Sequence, residues 1–309
     1  MARALIIGSR GSKLALWQAE HARTQLSALH PEVEIRLEII KTTGDVKPDP
    51  LAVIGGKGVF TKELEEALLS EKIDLAVHSL KDLPTLLPEG LILSAICERA
   101  DPTDALVLRL TAKNNHDASI RNLPLRAIVG TSSLRRLAQL KALRSDIEIR
   151  DLRGNVDTRL RKLDEGQYDA LILASAGLRR LGLEERISAS IPSSDMLPAV
   201  GQGAVSIETR EDDEFTNSIV GKLDHRETRL ACFAERSLLR ELGGGCQFPI
   251  AAHATIDGAT MKLAALVARP NGSRILRDDI SGPISQAEEL GKQLAGSLIA
   301  LGAQALLEP

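Results

Sequence analysis

Two residues in this 309-residue chain pair a reactive side chain with a setting that would present it. Asp82 lies in Val77-His78-Ser79-Leu80-Lys81-Asp82-Leu83-Pro84, directly after the apolar run Ile73–Val77, which reads as a buried strand. A carboxylate at a strand end can steady a nearby cation and carry a proton. Cys246 follows Gly243, Gly244 and Gly245, which stop a helical pattern and make a tight loop where backbone can approach a large ligand. As a thiolate it could hold a group covalently. Neither residue compels that reading alone. An isolated Asp before a proline is usually a turn residue or N-cap, and a free Cys is usually a small buried hydrophobe. Cys97 and Cys232 sit in strand-like and helix-like runs and read as core, and His78 reads as structural or as support behind a site.

Charge supplies a further signal. Residues 126–162 hold ten Lys or Arg and four acids, so this window is +6 while the whole chain is −3. Such asymmetry points to an anionic ligand. Arg135 and Arg136 open a helix after Gly130-Thr131-Ser132-Ser133, where free N–H groups and the helix dipole favour an anion. Two cations in a first turn are locally unfavourable, and an external anion would relieve them. Arg153 and Arg159 flank Gly154-Asn155, a turn that could aim both into one opening. The planar guanidinium suits bidentate carboxylate binding. Lys141, Arg144, Arg161 and Lys162 read equally well as a solvated helix face. Gly55-Gly56-Lys57-Gly58 lacks the Ser or Thr a nucleotide-triphosphate loop needs after its lysine, and reads as a flexible cationic loop before a helix.

The elements that must position these residues follow from periodicity. Strand-turn-helix repetition over the first two thirds predicts α/β units with a mainly parallel sheet. Strands are expected at Leu5–Ile7, Glu34–Ile40, Ile73–Val77, Ala127–Val129, Glu148–Arg150 and Ala170–Ala174. Helices are expected at Leu14–Leu29, Lys62–Leu69, Leu134–Leu143 and Val156–Leu163. The polar clusters Ser9–Ser12, His78–Asp82, Thr131–Ser133 and Ser175–Gly177 each follow a strand, where open α/β sheets bind ligands. They are expected to face one another across a cleft between two lobes. The last third reads as α+β: a helix over Glu227–Glu241, three strands and a closing helix over Gln286–Ala300.

Composition narrows the classes. The chain is 43% hydrophobic and 26% charged, with one Trp, one Tyr and four Phe, too few aromatics for a base-stacking platform. No stretch approaches the ~18 apolar residues of a membrane span. Three cysteines without a CxxC spacing give neither a disulfide framework nor a zinc ribbon, and no histidine pair has metal-ligand spacing. No metal, no nucleic acid and no membrane are therefore expected. The N-terminal apolar run is too short for a secretory signal, and a cytoplasmic location is expected.

Five segments carry a specific resemblance. They are Val77–Pro84, Gly130-Thr131-Ser132-Ser133-Leu134-Arg135-Arg136, Leu152-Arg153-Gly154-Asn155-Val156, Pro198-Ala199-Val200-Gly201-Gln202-Gly203-Ala204 and Gly244-Gly245-Cys246-Gln247-Phe248-Pro249. In this order, from Gly8-Ser9-Arg10 to Pro249, the chain closely resembles the hydroxymethylbilane synthase, or porphobilinogen deaminase, family. The resemblance implies head-to-tail joining of four porphobilinogens with loss of ammonia, then hydrolysis to hydroxymethylbilane for tetrapyrrole and haem biosynthesis. It implies a dipyrromethane cofactor held by a thioether at Cys246, and a monomer. The implied fold is two lobes like type-II periplasmic binding proteins plus a small α+β domain. The domains would be 1–101 with 202–218, 104–198, and 222–309 carrying the cysteine loop. Asp82 would be catalytic, stabilising the pyrrole-nitrogen cation formed on deamination and assisting proton transfer. Arg10, Ser12, Lys81, Arg135, Arg136, Arg153, Arg159 and Arg180 would bind the acetates and propionates of cofactor and substrate. Ser79, Thr131 and Ser133 would add hydroxyl or backbone bonds, Gln202 would belong to the same site, and Lys57 would ride a loop over it. Two departures stand out: Val53 replaces a lysine common in bacterial relatives, and Asp157 stands where a small residue is common, able to pair with Arg153 or Arg159. The competing readings are a non-catalytic two-lobed module for a small polycarboxylate and, more weakly, a nucleic-acid binder.

Overall fold

The computed structural model of the protein describes residues 4–43, 60–110, 118–245 and 248–307. Val53, Lys57 and Cys246 lie outside the described residues. The chain opens with β1 Leu5–Ser9, α1 Lys13–Leu29, β2 Ile35–Ile39, α2 Lys62–Leu69 and β3 Leu75–Ser79. A 3₁₀ turn over Leu80–Asp82 leads on to β4 Leu91–Ile96. Next come β5 Asp104–Leu108, β6 Ile128–Gly130, α3 Leu134–Leu143, β7 Glu148–Arg150 and α4 Val156–Asp164. These are followed by β8 Ala170–Ala174, α5 Ser175–Arg180, β9 Ala189–Ile191, β10 Val205–Arg210, α6 Glu214–Val220 and α7 Arg226–Glu241. The chain ends with β11 Ile250–Asp257, β12 Thr260–Ala268, β13 Ile275–Pro283, α8 Ala287–Ala300 and α9 Gln304–Leu307.

These strands form two mixed α/β sheets, ordered β2-β1-β3-β10-β4 and β7-β6-β8-β5-β9, and a small antiparallel sheet, β11-β12-β13. In each sheet four of the five strands run the same way, as the expectation of a mainly parallel sheet has it, and one runs against them. β10 runs antiparallel to β3 and β4, and β5 antiparallel to β8 and β9. Local periodicity sees only the strand-helix-strand units, which make parallel pairs. The strand inserted into each sheet without such a unit is free to run the other way.

The chain divides into two compact units, residues 1–99 with 204–230 and residues 100–203 with 231–309. In the first, α1 buries Ala15, Ala19, Ala22 and Leu26, a helical spacing of one face. Ala19, Ala22 and Leu26 pack with Leu5, Ile7, Leu75, Val77, Val205 and Ile207 of the sheet. Each fully buried Leu or Ile there contributes about 1.5–3 kcal/mol. In the second unit, consecutive residues alternate between two cores. Leu106, Ala170 and Ile172 enter one, and Ala105, Val107, Leu171 and Leu173 the other. A sheet covered on both faces needs such unbroken apolar strands. The antiparallel sheet belongs to this unit, with Ala251, Leu266 and Ala268 packed on Ala138 and Leu197.

Gly203 closes the loop between β9 and β10 at φ +90°, and a Cβ there would collide with the Ala100 carbonyl oxygen. Gly203→Ala is expected to cost more than about 1 kcal/mol of stability by denaturant titration, through φ strain and the backbone clash together.

Candidate functional site

In the first unit the sequence Ser9-Arg10-Gly11-Ser12 is the link from β1 to α1. Ser12 is the α1 N-cap, its Oγ accepting from Ala15 N at 3.3 Å. Beside this link, β3 runs out through Ser79 into the turn that carries Lys81 and Asp82. The two parallel neighbours thus deliver their loops to one end of the sheet. A recess open to solvent lies there, lined by Arg10, Ser12, Gln18, Thr61, Ser79 and Asp82 among others. Asp82 is exposed, and Arg10, Ser12, Ser79 and Lys81 are partly exposed. The Arg10 guanidinium sits 4.1 Å from the centre of the Phe60 ring, a cation–π contact that fixes its place at the pocket wall. Gln18 reaches from α1 to donate to Ser79 Oγ at 2.8 Å, orienting that hydroxyl. His78 also lines the pocket and is buried.

In the second unit, Thr131 and Ser133 link β6 to α3. Ser133 is the N-cap of α3, and its own N–H donates to Thr131 Oγ1 at 3.2 Å. Arg135 and Arg136 follow, but only 4% and 7% exposed. The relief expected from an external anion comes from inside the fold: both guanidiniums bind Asp104, at 2.7 Å each, and Asp104 is fully buried. Arg135 also donates to Leu197 O and Arg136 to Ile172 O. Gln202, itself buried, donates to Asp104 Oδ1 at 3.0 Å and to Pro102 O at 2.7 Å. Two guanidiniums on one carboxylate leave a net positive charge under α3, and Arg135 Nε has no hydrogen-bond partner among the described residues. Burial alone would push the Asp104 carboxyl up, but the Arg135 and Arg136 charges outweigh it and hold it well below the usual carboxylate range.

The remaining arginines are more open. Gly154 takes φ +104°, turning the chain so that Asn155 can cap α4 through Thr158 N at 3.1 Å. Arg153, before the turn, pairs with Asp151 at 2.6 Å, and Arg159, one helical turn on, donates to Gly154 O at 2.7 Å. Arg180, at the end of α5, donates to Gly203 O at 2.7 Å. Arg153, Arg159 and Arg180 are all partly exposed. The structure therefore brings Arg10, Ser12, Ser79 and Asp82 together at one pocket of the first unit. It gathers Arg135, Arg136 and Gln202 around Asp104 in the second.

Asp104, Phe60 and Gln18 did not emerge from motif reading. The signal for Asp104 was present: a single charge heads the strand-like Asp104-Ala105-Leu106-Val107-Leu108, where both faces must be buried. Asp104→Asn strips two buried guanidiniums of their counter-charge and is expected to cost about 3–5 kcal/mol at neutral pH in urea unfolding. A depressed folded-state value means this contribution is present above the unfolded value of about 3.9. It is lost as pH falls through the lower folded value, so the gap between native and variant narrows below about pH 4.

Comparison with known proteins agrees along the whole length. Residues 5–218 match the family model "Porphobilinogen deaminase, dipyromethane cofactor binding domain", and residues 229–300 match "Porphobilinogen deaminase, C-terminal domain". The porphobilinogen deaminase of Chlorobium luteolum is 51% identical over 313 residues, covering 99% of this chain and 98% of that one. That of Chlorobium chlorochromatii is 51% identical over 312 residues with the same coverage. Among solved structures, the periplasmic aliphatic sulphonate binding protein SsuA of Escherichia coli covers 78% of this chain and 70% of its own. It does so at 17% identity and a TM-score of 0.43. The two family models and the full-length relatives, not that loose likeness, assign the chain: it belongs to the porphobilinogen deaminase family.

Proposed function

We propose that the pocket onto which Asp82 opens is the reaction centre of this porphobilinogen deaminase, and that Cys246 holds its dipyrromethane by a thioether. The observation that carries this reading is the pocket's make-up: one exposed carboxylate beside a guanidinium and hydroxyl groups, all at the end of β1 and β3. Pyrroles bearing acetate and propionate need cationic and hydroxyl donors for their carboxylates and an acceptor for their N–H groups. The donor set present meets both needs.

When bound, the dipyrromethane supplies a covalent anchor and the pyrrole α-carbon from which the product grows. Arg10, Ser12 and Lys81 hold carboxylates near Asp82, with Ser79 adding a hydroxyl that Gln18 orients. In the second unit Arg153, Arg159 and Arg180 bind further carboxylates, and Thr131 and Ser133 add hydroxyl or backbone bonds. Arg135 and Arg136 act from beneath. Their surplus charge raises the local positive potential, while Asp104 and Gln202 fix their planes. Lys57 adds a further cation.

Asp82 accepts the pyrrole N–H. As ammonia leaves porphobilinogen, positive charge spreads onto that nitrogen, and a fixed carboxylate opposite it lowers the barrier. The same carboxylate would take the proton that the joining of two rings releases. The enzyme works on this reading as a cytoplasmic monomer, as its resemblance implies. Sustained ammonia release from porphobilinogen, four per hydroxymethylbilane formed, tests the reading. A polycarboxylate-binding module would return porphobilinogen unchanged.

A further inference from the structure

Strand β10 reads Val205-Ser206-Ile207-Glu208-Thr209-Arg210, an alternation that on a half-solvated strand would turn Ser206, Glu208 and Arg210 to water. Instead β10 lies between β3 and β4 with all six residues buried. Val205 and Ile207 face the α1 core. The opposite face carries a buried polar stripe. Arg210, at its inner end, is fully engaged with Asp74, Asp213 and the carbonyls of Leu68 and Ile73.

The outer end is different. The register sets His78 against Ser206 and Ala76 against Glu208, so His78 shares the stripe's face. Helix α2 packs over β3 and β10 and brings Thr61, its N-cap, and Glu65. All five side chains are more than nine-tenths buried. His78 Nε2 stands 3.0 Å from Glu208 Oε2, close enough to attract but not aligned as a hydrogen bond. Thr61 Oγ1, Glu65 Oε1, Ser206 Oγ and both Glu208 carboxylate oxygens likewise have no hydrogen-bond partner among the described residues. Glu65 and Glu208 put two carboxylates on one dry face, a like-charge arrangement that an added proton relieves. Burial pushes the Glu65 carboxyl above its usual range, and the Glu208 charge pushes the same way. Two members, His78 and Thr61, line the pocket onto which Asp82 opens.

Each condensation breaks the C–N bond of the aminomethyl group, forms a C–C bond and breaks the α-carbon's C–H bond. Ammonia leaves before the α-carbon gives up its proton, so the proton freed in one condensation serves the amine that leaves in the next, and between the two it needs a place to rest. We infer that the His78–Glu208–Glu65 cluster is the proton-holding station of the pocket, taking the proton from Asp82 after one condensation and giving it to the amine that departs in the next. This rests on the assignment of the pocket as the reaction centre. His78 is the member at the pocket wall, and Glu208 and Glu65 are positioning residues behind it.

Glu208→Gln in the holoenzyme tests it. The expected result is a kcat at least about 10-fold lower, part of the ~10²–10⁴ that positioned proton transfer supplies, with KM and the bound-cofactor mass unchanged. Glu208→Asp should recover much of the loss. On the native holoenzyme, kcat across mixtures of H2O and D2O should curve, because more than one proton moves. That measurement stands even where the Gln variant folds poorly. Unchanged kcat in Glu208→Gln, or a straight or absent isotope dependence, overturns the station. If Asp82→Asn is slow while Glu208→Gln is normal, the station alone is refuted. If Asp82→Asn is normal, the pocket assignment itself fails.

Discussion

Asp82→Asn will slow turnover by about 10²–10⁴-fold while leaving fold and cofactor in place. The amide keeps the shape and can still accept a hydrogen bond through its oxygen, but it has no charge to set against a developing pyrrole cation and no basic oxygen to take a proton. Its position predicts little effect on stability. Asp82 is exposed and ends a short 3₁₀ turn, and substitutions at such sites usually stay within about 0.5 kcal/mol. Steady-state kinetics on porphobilinogen, with the unfolding midpoint measured alongside, separates the two. Near-native turnover would remove Asp82 from the chemistry.

Cys246→Ser is expected to abolish turnover altogether. Thioether formation needs a thiolate, and a serine hydroxyl does not ionise near neutral pH. Without the anchor, no growing product is retained. Hydroxymethylbilane formation should fall to background even though the pocket around Asp82 is untouched. Cys97 and Cys232 cannot substitute, since both are buried.

Much of this architecture was legible from local pattern. Leu134–Leu143, Glu148–Arg150 and Ala170–Ala174 form the elements expected at those bounds, because each is an apolar-periodic run with a clear stop. β3 begins two residues later than expected and runs on through Ser79, since His78 and Ser79 pair with β10, a partner more than a hundred residues away. That same partner was invisible as a buried strand. Its Ser-Glu-Arg alternation is the mark of a wet face, and only the neighbours on both sides bury it. The site shows a parallel split. Loop residues such as Asp82, Arg10 and Arg153 announce themselves by type and neighbourhood. Asp104, which neutralises Arg135 and Arg136, and Glu208, which faces His78, do not. Their meaning lies in contacts across the sheet that no spacing along the chain records.

Intact-protein mass spectrometry probes the central claim most directly. The native protein should weigh more than its polypeptide by one dipyrromethane, Asp82→Asn should keep that increment, and Cys246→Ser should lose it. A native protein at bare polypeptide mass that still turns over porphobilinogen, or a Cys246→Ser variant that retains the increment, would contradict the account.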